Sequence, residues 1–370
     1  MKRKTLQRIR NICNLGIGGR TLIPILLPEI RKIVPAYSST FHWLDTSYRF
    51  TNVFDESPDA PSFISNFVNN YLSNRDLEAR ISLSEWLRQS KASVTITSTE
   101  RLAFRHFYHS DFYHEILKPM GYHHSLYLGI KIGSEPMGIL VLHRQQGELA
   151  FSQKDENNLR EIAPLIAHAL KEKEGCINVL PSRREIGLCL LNTQGDIQHI
   201  NPQGRKLMLL ATHSIVSKGL SFPLDNTSLM PHKITSLTQK LCKEFENDNL
   251  PSLNTPRWEV SNPWGNFLFQ ASWFQTPTNN QEGLIAVTAQ YCEPSLYRVI
   301  LECDELAFTA RQTEVATLLL KGLSYESISE DMYLSLHTVN DHIKKIYQKL
   351  GIHNRSELLP TLLPAQSISL

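Results

Sequence analysis

The chain has 370 residues, 41% of them hydrophobic and 20% charged, with a formal net charge of +2. That balance suits two or three globular domains and excludes a disordered, collagen-like or strongly basic chain. The apolar run Leu22 to Leu27 is too short to span a bilayer, and no signal-peptide core follows Lys2-Arg3-Lys4, so the expectation is a cytoplasmic protein with no membrane partner. Cys13, Cys176, Cys189, Cys242, Cys292 and Cys303 are scattered without a C-x-x-C pair, which favours reduced thiols over a disulfide frame or a zinc site.

The Lys/Arg-rich first ten residues read as a solvated, frayed terminus, with contact to DNA as the alternative. Gly16-Ile17-Gly18-Gly19 reads as a flexible turn, because no strand precedes it and no acidic residue stands where a ribose would need one. An amphipathic helix, Thr21 to Ile33, leads into the alternating runs 39–44 and 49–54, joined by Asp45-Thr46-Ser47 as a hairpin. Helical stretches follow at 62–72 and 81–87. His106, His109, His114, His123 and His124 crowd the next segment, but the interleaved aromatics and the spacing favour packing and hydrogen bonding over a metal site. A second hairpin takes 125–132 and 137–143 around Gly133-Ser134-Glu135-Pro136. Ser152 with Asp155 caps a long helix with the stripe Leu159, Ile162, Ile166 and Leu170, expected to kink at Pro164. This order, with the phrases Met137 to Leu142 and Phe151 to Asp155, resembles a GAF sensor domain over residues 1–173.

Residues 174–184 read as a linker containing Pro181-Ser182-Arg183-Arg184. A strand over 186–191, the turn 192–196, a return strand over 197–200 and a helix starting at Asn201-Pro202 come next. After a polar, helical middle, 258–260, 266–274 and 284–290 alternate as three more strands, with 276–282 as a loop. Residues 185–291 resemble a PAS domain, most closely from Leu190 to Pro202. A linker over 292–304 follows.

The last sixth is the most legible. Thr309 and Gln312 form a capping-box pattern, Val315, Leu318 and Leu319 recur at helical spacing, and Gly322 offers a left-handed stop. Ser324 caps a short helix that buries Ile328, and after Tyr333-Leu334 the hydroxyl of Ser335 caps a third. In that helix Val339, Ile343, Ile346 and Leu350 make one core face, leaving Asn340, Asp341, Lys344, Lys345 and Gln348 outward. Such side chains reach base edges and phosphates from a helix in a major groove. Gly351 closes the helix, and Asn354-Arg355 opens a fourth whose Leu358, Leu359, Leu362 and Leu363 want a partner.

The segment is similar to the LuxR-type helix-turn-helix, matching Thr309, Glu314, Gly322-Leu323-Ser324, Ile328, Ser335, Thr338-Val339, His342, Lys349-Leu350-Gly351 and Arg355. The resemblance implies a four-helix, all-α domain over 305–370 with the third helix as recognition helix and Asn340, Asp341 and Lys344 facing bases. Ser335, Thr338, Lys345, Lys349 and Arg355 complete the implied DNA-binding set, and Leu358, Leu359 and Leu362 the dimer contact. From Thr309 to Leu359 six Lys/Arg oppose six Asp/Glu, so net attraction to phosphate is weak and a homodimer is expected to be needed.

The fold class expected is therefore two α+β sensor domains with antiparallel sheets, followed by an all-α reader. No G-x-S-x-G, H-E-x-x-H or P-loop occurs, so binding is expected and not catalysis, with no cofactor and no metal. The partners expected are double-stranded DNA, a second copy of the chain, the transcription machinery, and a small-molecule effector that no residue code identifies. The alternative keeps the DNA reader and makes the front half a protein-interaction scaffold; an enzyme with an appended DNA domain is the third reading.

Overall fold

The computed structural model describes residues 2–56, 77–102, 107–111, 113–171, 179–212, 257–262, 265–274 and 283–363. The expected helix 62–72, His106, Cys176, Cys242, the polar middle of the second sheet unit and the loop 276–282 lie outside those residues.

The chain opens with a helix, α1 (Lys2–Cys13), and not with the frayed terminus expected. Its Thr5, Ile9 and Ile12 recur at helical spacing and are buried, so the helix is docked, with Arg3 and Arg10 on its outer side. Gly16 and Gly18, at φ 69° and 75°, turn the chain into α2 (Gly19–Ile33). Strands β1 (Ser38–Leu44) and β2 (Phe50–Asp55) make the first hairpin, and α3 (Leu77–Gln89) follows. A strand that the sequence reading missed, β3 (Val94–Ser98), comes next. Then come β4 (His124–Ile132), β5 (Glu135–Arg144) and α4 (Gln153–Ala169), whose N-cap Ser152 and Asp155 form the reciprocal capping box. The antiparallel sheet runs β2-β1-β5-β4-β3. Phe41, Leu126, Leu128, Leu140 and Leu142 join α1, α2 and α4 in one core. Tyr127, Ile139 and Val141, one residue out of phase, form a second cluster with Leu87 of α3.

Beyond these apolar clusters the sheet carries a buried polar network. The Tyr122 hydroxyl donates to Asp55 Oδ1 at 2.7 Å, and its ring stacks on His143 with centroids 4.0 Å apart. His143 Nδ1 lies 3.0 Å from Ser125 Oγ, and Nε2 lies 3.3 Å from Thr40 Oγ1. Burial, with His42 nearby, pulls the His143 imidazole down to about 3.

A second antiparallel sheet runs β7-β6-β10-β9-β8, built from β6 (Val179–Leu191), β7 (Ile197–Ile200), β8 (Arg257–Asn262), β9 (Gly265–Phe274) and β10 (Leu284–Pro294), with α5 (Pro202–Thr212) after β7. Two expected linkers are corrected by this sheet. Residues from Val179 onward pair with β10, and Pro181 is accommodated because it sits opposite Cys292 at a register shift. The expected linker 292–304 is the end of β10 followed by helix α6 (Ser295–Glu305), which buries Tyr297, Val299, Ile300 and Cys303.

Helix α6 ties the second sheet to the reader. Arg298 Nη2 donates to the Pro181 carbonyl at 2.5 Å. Near its other end Asp304 forms an ion pair with Arg8 of α1 at 2.5 Å, and Arg8 also reaches the buried Glu29 of α2 at 3.2 Å. Ala307 stands at φ 53°, its N–H bonded to the Asp304 carbonyl and that of Phe308 to Cys303, a left-handed helix stop of the Schellman kind. Helices α7 (Ala310–Leu320), α8 (Tyr325–Asp331), α9 (Leu336–Leu350) and the short α10 (Leu358–Leu362) follow in order. None of the described helices is long and apolar enough to cross a membrane.

The His143 environment has a pH consequence. Unfolded, this side chain takes a proton below about 6.5; folded, it resists doing so down to about 3. Its contribution is therefore intact above pH 6.5 and lost as pH falls through that window, by roughly 2 kcal/mol at pH 5. Chemical denaturation between pH 7.5 and 5 should show a shallower loss of stability for His143→Gln than for the parent protein; equal slopes would contradict this.

Candidate nucleic-acid interface

The first three reader helices each start on a side-chain cap that the sequence supplies. Thr309 Oγ1 accepts from Gln312 N while Gln312 Oε1 accepts from Thr309 N at 2.8 Å. Ser324 Oγ accepts from Ser327 N at 3.1 Å, and Ser335 Oγ from Thr338 N at 3.1 Å. Tyr333 stands between α8 and α9 at φ 52°, with its ring 95% exposed. Gly351, at φ 67°, ends α9.

Packing then fixes the rotation of α9. Val339, Ile343 and Ile346 are buried against Val315, Ala316, Leu319, Ile328 and Met332. Asn340, Asp341, Lys344, Lys345 and Gln348 are consequently exposed. Asn340, Lys344, Tyr347, Gln348 and His353 line one shallow groove along this helix. Burial and the neighbouring Tyr325 push the Tyr347 phenol up to about 12, so it stays a neutral hydroxyl there. Asp341 lies 3.8 Å from His337 one turn back, on the exposed surface.

Ser335 and Thr338 sit together at the start of α9, their hydroxyls 2.8 Å apart. Lys349 is exposed but turns back: its Nζ donates to the Ala307 carbonyl at 2.7 Å and lies 5.2 Å from the centre of the Phe308 ring. Arg355 is half-buried and points inward, its guanidinium donating to the Leu323 carbonyl at 2.9 Å and to that of Leu319. It closes the end of α7 onto the turn before α10, in place of the outward position the sequence suggested.

The expectation that the fourth helix lacks a partner within the domain is corrected. Leu358 and Leu362 are 0% and 1% exposed and belong to the reader's own core. The reason is that Asn354 caps a single 3₁₀ turn, Arg355–Glu357, which swings α10 back against the domain. Leu359, 45% exposed, is the member of the set that remains on the surface.

Farther upstream, His123 Nδ1 lies 2.6 Å from the Tyr113 hydroxyl and its ring stacks on Tyr108, while His124 pairs with Glu100 at 2.8 Å. Burial, with His124 beside it, lowers the His123 imidazole. Among the described residues no group of three or more His, Cys, Asp or Glu side chains is placed to hold a metal ion. His109 and His114 are both exposed.

Residues 306–361 match the model of bacterial regulatory proteins of the luxR family. The spore germination protein GerE of Bacillus subtilis is 36% identical over 55 residues, which are 15% of this chain and 74% of GerE. Among solved structures, a LuxR-type receptor, the VqmA dimer of Vibrio cholerae without its target DNA, aligns at 17% identity with a TM-score of 0.18, covering 49% of this chain and 83% of that one. The sensor region of a sensor histidine kinase aligns at 9% identity with a TM-score of 0.19, covering 72% and 89%. Scores this low are not evidence of a shared overall arrangement.

The burial of α10 separates two neighbouring leucines. Leu358→Ala should destabilise the reader by roughly 2–5 kcal/mol through loss of transfer energy and the cavity left behind, whereas Leu359→Ala should stay within about 0.5 kcal/mol. Denaturant unfolding of the two variants checks this, and equal losses would place α10 differently.

Proposed function

Because the chain belongs, through residues 306–361, to the LuxR family of bacterial regulatory proteins, we propose that it reads a two-fold site on double-stranded DNA as a homodimer. The observation that carries this reading is the polar outer face of α9, held rigid by the buried stripe Val339, Ile343 and Ile346. Asn340 and Lys344, one turn apart and exposed, offer an amide for adenine and an ammonium for guanine O6 or N7. Asp341 lies beside them, and Lys345 with the Ser335 and Thr338 hydroxyls serves the phosphates on either side. Lys349 and Arg355 take a smaller part, since their donors are engaged by the domain's own carbonyls. Leu359 contributes to the contact between copies.

Upstream, residues 1–173 act as a GAF-like unit and the second sheet as a PAS-like unit, with the boundary between Lys171 and Val179. Helix α6 leaves β10 directly and ends at the reader, so a small effector that shifts the second sheet also shifts the reader. The chain's chemistry is then binding: DNA, an effector, its own copy and the transcription machinery.

The test begins with duplexes selected from a random pool by the full-length protein. Lys344→Ala should weaken the best duplex by about 1–3 kcal/mol and relax preference at one base pair, with little effect on scrambled DNA. Val339→Ala should weaken all duplexes together, in step with a lower unfolding temperature. If Lys344→Ala melts the reader while Val339→Ala alters sequence preference, α9 is docked by the other face.

A further inference from the structure

The reader's own charges nearly cancel, since six basic residues oppose six acidic ones between Thr309 and Leu359. Affinity for duplex DNA depends on neutralised phosphates, so the missing charge has to come from elsewhere. The opposite end of the chain holds it. Helix α1 carries Lys2, Arg3, Lys4, Arg8 and Arg10 and no acidic residue. It is docked on the reader: Lys321, at the end of α7, donates through Nζ to the Asn14 carbonyl just beyond α1 at 2.7 Å.

The basic residues of α1 divide into two groups. Arg8 is engaged by Glu29 and Asp304, and Lys4 lies 3.7 Å from Asp304, so these two fasten the helix. Arg3 and Arg10, two turns apart on one side of α1, are exposed and meet no carboxylate among the described residues. Beside the C-terminal end of α1 is a cleft of about 420 Å³, lined by Asn11 and Asn14 on one side and by Glu314, Thr317, Lys321 and Asp331 on the other. Asp331 is the last residue of α8, so the C-terminal end of α1 stands across this cleft from the turn that leads into α9.

We infer that α1 is a second DNA-binding element, in which Arg3 and Arg10 bind the phosphate backbone beside the segment read by α9. This rests on the reading of the reader as a duplex-DNA binder. It assigns α1 affinity without sequence preference, because guanidinium groups on phosphates position a protein and carry no base information.

The experiment uses the full-length protein, a selected duplex and a scrambled duplex, with affinity measured from 50 to 200 mM salt. Arg3→Gln/Arg10→Gln should weaken both duplexes by the same factor and make the dependence of log K on log salt shallower by roughly 0.9 for each phosphate that is no longer neutralised. Thermal unfolding should be unchanged, because both side chains are exposed. Arg10→Glu should weaken both duplexes further. Unchanged affinity and slope in these variants, with the parent protein binding normally, would overturn the assignment of α1 and leave the reader intact. A loss confined to the selected duplex would also overturn it, because α1 would then act by orienting the reader. Failure of the parent protein to bind any duplex would remove the premise as well.

Discussion

The rotation of α9 about its own axis is the constraint on which the reader's function depends. Val339, Ile343 and Ile346 are each at most 4% exposed, and turning the helix by one residue would bring Asn340 and Lys344 into that core. Burying an ammonium without a partner costs several kcal/mol, so that rotation is disfavoured whatever the caps at Thr309, Ser324 and Ser335 contribute. The outward face is thus selected by the inward one. Arg355 adds a lock from the far side, because its guanidinium fastens the end of α7 to the turn before α10.

A second constraint joins the two ends of the chain. Asp304, at the end of α6, is ion-paired with Arg8 of α1, and Arg8 also meets Glu29 of α2, which is 1% exposed. Removing one member of such a buried set leaves an unpaired charge, which costs more than the assembled set contributes. The reader is therefore attached through a joint with a defined geometry. Three residues after Asp304 the chain takes the left-handed turn at Ala307, whose carbonyl receives the Lys349 ammonium. Lys349 of α9 is in this way fastened to the segment that leads from α6 into α7.

The parts read correctly from sequence share a local physical cause. The reader's first three helices start at Thr309, Ser324 and Ser335 because a hydroxyl accepts the orphan N–H three residues on, and both ends of that signal lie within one turn of chain. The hairpins around Asp45 and Gly133 are similarly local. Misreadings arise where distant residues decide. Val94 to Ser98 is the exception, because Val-Thr-Ile-Thr is a β-branched run whose strand signal is local, and it pairs with β4. Pro181 looks like a linker signal, yet a register shift opposite Cys292 admits it to β6. The basic first turns of α1 look solvated because Ile9, Ile12 and the partners of Arg8 are recognisable only once α2 and α6 are in place. Leu358 and Leu362 look unpartnered because the fold of Asn354 to Glu357 that returns them to the core is a tertiary event. Of the candidate site, the polar face of α9 is legible from period alone; the inward turns of Lys349 and Arg355 are not.

The central claim is that the face of α9 bearing Asn340 and Lys344 enters a major groove. Methylation interference tests it directly, because dimethyl sulfate marks guanine N7 in the major groove and adenine N3 in the minor groove. On a duplex selected by the full-length protein, methylation at guanines in two half-sites about one helical turn apart should abolish binding, while adenine N3 methylation between them should be tolerated. Interference confined to adenine N3, with guanine N7 methylation tolerated throughout, would contradict the account.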